Sequence, residues 1–210
     1  EAWVFWSGST NAYSEILTKD LVSAFAITST NKLHTNFGNG SSWDIGLNSS
    51  SSIPLNTWTH VAVTRQNGAV KMFINGVQDT ATATMNFSGQ NVSHRVIGGK
   101  LNGTTPIVGS FFNGSLDEVR FWSSARTQTQ INTSMYAELI GNETGLLANF
   151  DFNQGVAGGN NATITTVINK ANSAINGTLT NFTKTGTSSN FVANTISSFN
   201  ISGAATVCAN

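Results

Sequence analysis

Hydrophobic and polar residues alternate between Trp58 and Thr84, in three short runs joined by two Asn-Gly pairs. Alternation with a period of two is typical of a β-strand that buries one face. Asn67-Gly68 and Asn75-Gly76 suit the positive φ angles of tight hairpin turns. The segment therefore predicts an antiparallel three-stranded meander.

Similar runs recur along most of the chain, and Gly, Asn and Ser clusters separate them. The predicted strands outside the meander are Glu1 to Trp6, Tyr13 to Thr18, Val22 to Thr28, Lys32 to Phe37, Trp43 to Leu47, His94 to Gly99, Ile107 to Phe112, Ser115 to Trp122, Gly145 to Phe152, Ala162 to Ile168 and Ile175 to Leu179. The Ser-rich stretch from Asn48 to Ser52 is expected to be exposed. This spacing predicts an all-β, antiparallel two-sheet jelly-roll sandwich.

One short helix is predicted after the strand that ends at Trp122. Thr127 and Gln130 have the spacing of a capping box. Apolar residues then recur every four positions from Ile131, and Gly141 is expected to end the helix.

The pattern predicts a single jelly-roll domain over residues 1–190, with a closing strand or a linker to a following module over residues 191–210. The chain starts at Glu1 without Met or a signal-like stretch, which indicates a piece of a longer protein. Its one cysteine, Cys208, is interpreted as a loose thiol or as half of a bridge to a partner outside this sequence.

The composition argues against two kinds of partner, nucleic acid and the membrane interior. Charged residues make up 10% of the chain, the formal net charge is zero and the pI is about 7.1. This charge balance argues against electrostatic binding to nucleic acid. Its apolar runs are too short for membrane insertion.

Several segments resemble the laminin-G-like, concanavalin A-like jelly rolls, in particular the pentraxin-like branch common in bacterial surface proteins. The motifs that carry this resemblance include WTHVAVTR at 58–65, KMFINGV at 71–77, GSLDEVRFWSSART at 114–127 and GLLANFDFNQG at 145–155. Family members usually begin with a further strand, F-D-G-x-x-D-Y-V. It is missing before Glu1, so this strand is truncated or supplied from elsewhere.

The resemblance implies an extracellular domain that binds glycans or proteins, often with structural calcium. We therefore expect a non-catalytic, lectin-like module of a larger secreted or bacterial cell-surface protein, with polysaccharide as its partner. The alternative is a protein-binding or spacer domain of a multidomain adhesin, with other surface proteins as partners. The fold alone does not assign the ligand.

The acidic residues argue against an enzyme. The related β-glucan-cleaving jelly rolls carry E-x-D-x-x-E on one strand, and this chain has no such triplet. A glycosidase needs two carboxylates that flank one bond. The sole adjacent acidic pair, Asp117-Glu118, would point to opposite faces of a strand.

Candidate calcium ligands are Asp117, Asp151 and Asn153, together with carbonyl groups of the Gly-rich loop that follows. Calcium requires six to eight oxygen ligands of these kinds. The alternative interpretation is that Asp117 pairs with Arg120 or Arg126 and that Asp151 caps a turn.

Candidate sugar-binding residues are Trp43 with its neighbour Asp44, and then Trp6. An aromatic ring stacks on the apolar face of a sugar while polar side chains hold its hydroxyl groups. Trp43 follows the loop GNGSS, and Trp6 ends a predicted strand. Core packing at the rim of the sandwich is the alternative for both rings.

Overall fold

The computed structural model describes residues 1–89, 94–102, 105–107, 109–186 and 190–193, and two five-stranded antiparallel sheets dominate them. Strands are numbered in chain order. The first sheet contains β1 (Ala2–Trp6), β6 (Trp58–Gln66), β7 (Ala69–Ile74), β8 (Val77–Thr84) and β12 (Gly114–Asp117), in the order β12-β1-β6-β7-β8. The second sheet contains β2 (Tyr13–Lys19), β3 (Ser23–Thr28), β4 (Lys32–Phe37), β5 (Leu47–Ser52) and β9 (Arg95–Ile97), in the order β5-β4-β3-β2-β9.

Shorter elements complete the described part of the chain. Three strand pairs are formed by β10 (Leu101–Asn102) with β11 (Thr105–Pro106), β13 (Val119–Trp122) with β14 (Leu146–Phe150), and β15 (Thr166–Val167) with β16 (Gly177–Thr178). Helix α1 spans Gln128–Ser134, and a 3₁₀ turn spans Ser173–Ile175. The predicted fold class, a two-sheet jelly-roll sandwich with one short α-helix, is confirmed for the described residues.

The predicted meander forms β6, β7 and β8. Asn67 and Gly68 have φ angles of 50° and 83°, and Asn75 and Gly76 have φ angles of 48° and 73°. Positive φ at both central residues matches the right-handed twist of the flanking strands. The local sequence therefore determines both turns.

The main core lies between the two sheets. Val4 and Trp6 of β1 pack there with Ile27 of β3 and Leu33 of β4, and all four side chains have no exposed surface. Burying an aliphatic side chain of this size contributes about 1.5–3 kcal/mol. Neighbouring residues of β1, such as Trp3, point to the opposite face of the first sheet.

Helix α1 covers part of that opposite face. Thr127 is its N-cap, and the predicted capping box with Gln130 is present. Ile131 packs in a small buried cluster with Ala62 and Phe73. The helix ends earlier than predicted, at Ser134, with Met135 as its C-cap, and the Ala137 N–H then donates to the Ser134 carbonyl in a tighter turn.

Two predicted strands are corrected by the structure, and one strand, β5, was not predicted. The predicted strand Trp43 to Leu47 is a loop apart from a bridge between Gly38 and Trp43 and the first residue of β5, Leu47. The described residues between 107 and 112 are also irregular. The Ser-rich stretch from 48 to 52 is mostly exposed, as expected, and forms most of β5. This strand pairs antiparallel with β4, and the Asp79 carboxylate of β8 also accepts hydrogen bonds from its backbone.

Residues 194–210, which include Cys208, lie outside the described residues. The domain boundary near residue 190 and the closing strand or linker therefore remain predictions. Among the helices that the structure describes, none has the length and apolar character needed to span a membrane.

Candidate functional site

The outer face of the second sheet collects small and polar side chains from its central strands. Strand pairing places Glu15 opposite Ala26 and Ala26 opposite His34, and it places Ala24 opposite Asn36. Paired residues share a face, whereas the alternate positions Phe25, Ile27 and Leu33 face the core. Register thus brings together side chains that are far apart in sequence.

A depression of about 100 Å³ lies on this face. It is lined by Tyr13, Glu15, Ala24, His34, Asn36, Trp43 and Lys100. Alanine at the centre leaves room between the longer side chains around it. Aromatic, amide, carboxyl and ammonium groups therefore converge on one small recess, which we call the Trp43 depression.

A turn at residues 38–46 carries Trp43 over the sheet. The Asn39 side chain accepts hydrogen bonds from the backbone N–H groups of Ser41 and Ser42, at 3.0 and 2.8 Å. The Lys100 ammonium lies 5.2 Å from the centre of the Trp43 ring and 3.2 Å from the Asp20 carboxylate. The Trp43 ring is half-buried, so these contacts orient it without removing it from solvent.

Tyr13 and His34 form the opposite aromatic wall. Their ring centres are 4.5 Å apart with an interplanar angle of 40°, and Tyr13 is 44% exposed. Burial lowers the pKa of His34, so its imidazole is neutral at pH 7. The Nδ1 atom lies 2.7 Å from Asn48 Oδ1 and donates to it, which leaves Nε2 as an acceptor. A Cβ at Gly46 would lie 2.6 Å from His34 Cε1, so glycine preserves the position of this ring.

Glu15 is a buried carboxyl group in the depression. Burial raises its pKa to about 7, although Thr18 Oγ1 donates a 2.8 Å hydrogen bond to Glu15 Oε2. Near neutral pH this group is partly protonated and can both donate and accept hydrogen bonds. Asn36 Oδ1 is also buried, and it has no hydrogen-bond partner among the described residues.

Of the predicted sugar-binding residues, Trp43 lines the depression and Asp44 does not. Asp44 accepts hydrogen bonds from the backbone N–H groups of Ile45 and Phe87, at 2.9 and 3.0 Å. It therefore holds the loop against the segment at Phe87. Trp6 is corrected: its ring is wholly buried, and its Nε1 donates to Asn31 Oδ1 at 2.9 Å. A ring without an exposed face is unavailable for stacking, so the core alternative applies to Trp6.

The predicted calcium ligands lie near one another, but a lysine already neutralises one of them. Lys170 Nζ is 2.5 Å from Asp151 Oδ2, and Asp151 Oδ1 accepts from the backbone N–H of Asn153 at 3.3 Å. Burial raises the pKa of Asp117 to about 7, and the charges of Glu118 and Asp151 add to this shift. Within the described part of the chain, no three His, Cys, Asp or Glu side chains are grouped as metal ligands. A calcium ion at Asp151 would have to displace the ammonium group, and calcium remains a prediction.

Sequence reasoning missed Tyr13, Glu15, His34, Asn36 and Lys100 as site residues. The first four occupy alternate positions of the predicted strands from Tyr13 and from Lys32. The residues between them, Ser14 and Thr35, are also polar although they are buried, so hydrophobic alternation does not mark this face. The position of this face beside Lys100 and Trp43 depends on the register of the strands and on the path of the loops that carry these two residues.

The family model of the concanavalin A-like lectin/glucanases superfamily matches residues 1–132. This match confirms the resemblance that the motifs indicated. A comparison with curated protein sequences found no match.

Solved structures from several organisms resemble this chain to different degrees. A Bacteroides ovatus protein described as a candidate carbohydrate-binding protein is 20% identical with a TM-score of 0.65, and the match covers 84% of this chain. The chain spans 50% of the length of that protein. Domain 4 of AbnA, an extracellular arabinanase from Geobacillus stearothermophilus, solved with arabinotriose, is 25% identical with a TM-score of 0.46, covering 63% of each chain. A heptameric pentraxin from Limulus polyphemus is 18% identical with a TM-score of 0.45, covering 63% of this chain and 66% of that one.

Proposed function

Because the chain belongs to the concanavalin A-like lectin/glucanase superfamily, we propose that it is a non-catalytic carbohydrate-binding module whose ligand occupies the Trp43 depression. The observation that carries this proposal is the convergence of two aromatic rings, Trp43 and Tyr13, with neutral polar groups on one face of a sheet. Sugars need an apolar surface for their C–H groups and directional partners for their hydroxyl groups.

Each lining group has a role in this proposal. The exposed part of the Trp43 ring stacks on a sugar ring, and Tyr13 borders the same recess. His34 Nε2 and Asn36 Oδ1 accept hydrogen bonds from sugar hydroxyls. A hydroxyl that donates to Asn36 Oδ1 would satisfy a buried acceptor, which costs free energy when it lacks a partner.

The depression supports binding rather than hydrolysis. Among its lining residues, all within the described part of the chain, Glu15 supplies the one carboxyl group. Glycoside hydrolysis by paired carboxyl groups requires a second one about 5–10 Å away, facing the same bond. We therefore propose that the module binds and positions a saccharide without cleaving it.

We also propose that the parent protein is secreted or displayed on a bacterial surface, where polysaccharide ligands are found. The Bacteroides ovatus protein of similar fold is itself described as a candidate carbohydrate-binding protein, in agreement with this role. Neutral amide and hydroxyl groups, rather than charges, then provide most of the polar surface.

The test is binding to a panel of neutral polysaccharides by affinity electrophoresis, followed by calorimetry with oligosaccharides of the best ligand. We expect Trp43→Ala and Tyr13→Ala each to weaken binding by about tenfold or more, which corresponds to about 1.4 kcal/mol. The chain has two tyrosines, and the second one, Tyr136, is 43% exposed and lies beside Trp3 on the other sheet. Tyr136→Ala is therefore a matched control and should retain the affinity of the unmodified protein.

Circular dichroism must show that each variant is folded before its affinity is interpreted. A folded protein that binds nothing on the panel would overturn the proposal and favour the spacer role in an adhesin. Equal affinities of Trp43→Ala and the unmodified protein would overturn the assigned site.

A further inference from the structure

All four arginines of the chain line one cavity. The cavity has a volume of about 360 Å³, and Arg65, Arg95, Arg120 and Arg126 are among its lining residues. It lies where strands of both sheets meet β13 and the segment that leads into helix α1. Glu1 is the one acidic residue in this lining, so the cavity is a local concentration of positive charge in a chain with zero net charge.

Three of these arginines lie against aromatic rings that also line the cavity. The guanidinium carbon is 4.9 Å from the ring centre for Arg65 and Phe37, 5.3 Å for Arg95 and Phe121, and 3.8 Å for Arg126 and Trp122. Contact with a ring occupies the face of a guanidinium and leaves the N–H groups at its edge able to donate. The rings therefore restrain these cations without using all of their donors.

Arg120 differs from the other three because protein acceptors already neutralise it. Its Nη2 is 2.7 Å from Glu118 Oε2, and its Nη1 is 3.7 Å from Glu1 Oε1. It also donates to the carbonyl oxygens of Ser134 and Ala137. Arg120 therefore has a structural role and is not counted among the arginines available to a ligand.

The remaining three arginines lack such a close ion pair, although the Asp44 carboxylate is near enough to Arg65 to interact with its charge. Within the described residues, no Asp or Glu forms an ion pair with Arg65, Arg95 or Arg126. Arg65 and Arg126 each donate to a backbone carbonyl through Nη2. The Nε atoms of both are nevertheless buried and have no hydrogen-bond partner in the part of the chain described. Buried donors of this kind are rare unless something satisfies them.

We propose that this cavity binds the carboxylate group of an acidic saccharide, such as a uronic acid residue. The edge of a guanidinium matches a carboxylate in a planar, bidentate pair. Apolar and aromatic walls, with the hydroxyl groups of Thr35 and Thr64, would surround the rest of the sugar. The volume lies in the range of small-molecule sites.

The saccharide part of this inference rests on the proposed function, whereas the carboxylate part rests on the cavity itself. The cavity and the Trp43 depression share Ala24 among their lining residues and differ in every charged and aromatic residue. Neutral and acidic ligands therefore report on the two sites separately.

The first experiment is calorimetry at low salt with an oligogalacturonide and with a neutral oligosaccharide of equal length. We expect Arg95→Gln and Arg126→Gln each to weaken oligogalacturonide binding by about tenfold or more. Lys32→Gln removes the same charge from a half-buried lysine at the opposite end of β4, whose ammonium group donates to Ser50 O at the surface, and should change the affinity less than twofold. Binding of the neutral ligand at the Trp43 depression should be the same in all three variants.

A second experiment needs no variant. Phenylglyoxal modifies accessible arginines, and mass spectrometry can follow each of the four separately. We expect the oligogalacturonide to slow modification of Arg95 and Arg126 several-fold, whereas the neutral oligosaccharide gives no protection. Protection by inorganic sulfate but not by the oligogalacturonide would overturn the assignment to an acidic saccharide.

Absence of oligogalacturonide binding and of protection would overturn the inference, even if neutral glycans bind. Equal loss of affinity in Lys32→Gln and Arg95→Gln would also overturn it, because binding would then follow overall charge. Conversely, loss of neutral-glycan binding alone would count against the Trp43 depression and leave this cavity unaffected.

Discussion

At the scale of single residues, burial changes what a carboxyl group can do. Glu15 and Asp117 lie on different sheets, and burial raises the pKa of each to about 7. Each therefore binds a proton more tightly in the folded protein than in the unfolded chain. Their contribution to stability is fully present below the ordinary pKa and is lost as the pH rises through about 7.

The first prediction concerns Glu15→Gln. Glutamine has the same shape and stays neutral, so the variant avoids the cost of ionising a buried carboxyl group. We expect the variant to gain stability relative to the unmodified protein between pH 5 and pH 8, by on the order of 2 kcal/mol. Urea unfolding at the two pH values measures this difference.

Glu138→Gln is the control for this experiment, because Glu138 is exposed and its pair with Lys170 lies at the surface. Its stability should follow that of the unmodified protein at both pH values. Parallel pH profiles for Glu15→Gln and the unmodified protein would contradict the shifted pKa of Glu15.

At the scale of elements, the sequence predicted those features that neighbouring residues determine. The Asn-Gly turns and the Thr127 capping box formed as expected, because their hydrogen bonds and dihedral angles are local. Strand β5 was missed because its Ser-rich sequence has no hydrophobic alternation, and because contacts with other strands hold it, namely its pairing with β4 and the Asp79 side chain of β8. Asp79 accepts hydrogen bonds from the backbone N–H groups of Ser50 and Ser51 at 2.7 and 2.9 Å, and this joins β5 to β8.

The second prediction is that Asp79→Ala destabilises the protein by roughly 2–4 kcal/mol. Three backbone N–H groups, those of Ser50, Ser51 and Ala81, would lose their acceptor in a largely buried position. Urea unfolding at pH 7 measures the loss, and amide hydrogen exchange should show faster exchange at Ser50 and Ser51. Ser50→Ala is the matched control, because it keeps the backbone N–H and changes only an exposed side chain.

Protonation of the Asp79 carboxylate is also expected to lower the stability of the protein in acid. Burial would raise the pKa of Asp79, but hydrogen bonds from backbone N–H groups hold the pKa below its ordinary value. The contribution of Asp79 to the free energy of unfolding is therefore present above the ordinary pKa of an aspartate. It is lost as the pH falls through the lower pKa of Asp79 in the folded protein. An unfolding free energy of Asp79→Ala within about 0.5 kcal/mol of that of Ser50→Ala would contradict this account.

At the scale of the whole molecule, alternation predicted two stacked sheets but not which outer face carries a site. Helix α1 covers part of the first sheet, whereas the second sheet keeps a depression on its outer face. Trp43 was identified as a candidate from its place after a loop. The cavity that gathers all four arginines was not predicted, because it depends on how β13 is placed relative to the two sheets and to β9 at the edge of the second sheet.

Long-range ion pairs also join distant segments of the molecule, and the next prediction concerns one of them. Lys170 pairs with Asp151 after β14 and with Glu138 after helix α1. Asp151 is buried, so removal of the ammonium group leaves a buried carboxylate without its partner. We expect Lys170→Met to destabilise the protein by about 3 kcal/mol in urea unfolding at pH 7.

The ion pair between Lys170 and Asp151 also leads to a prediction about calcium binding. Because the Lys170 ammonium already occupies Asp151 Oδ2, we expect the unmodified protein to melt at the same temperature in excess EDTA and in excess calcium chloride. A ligand that binds only the folded state would raise the melting temperature as its concentration rises. A reproducible rise in calcium, reversed by EDTA and lost in Asp117→Asn, would instead support the calcium site that the family resemblance implied, with the ammonium displaced from Asp151.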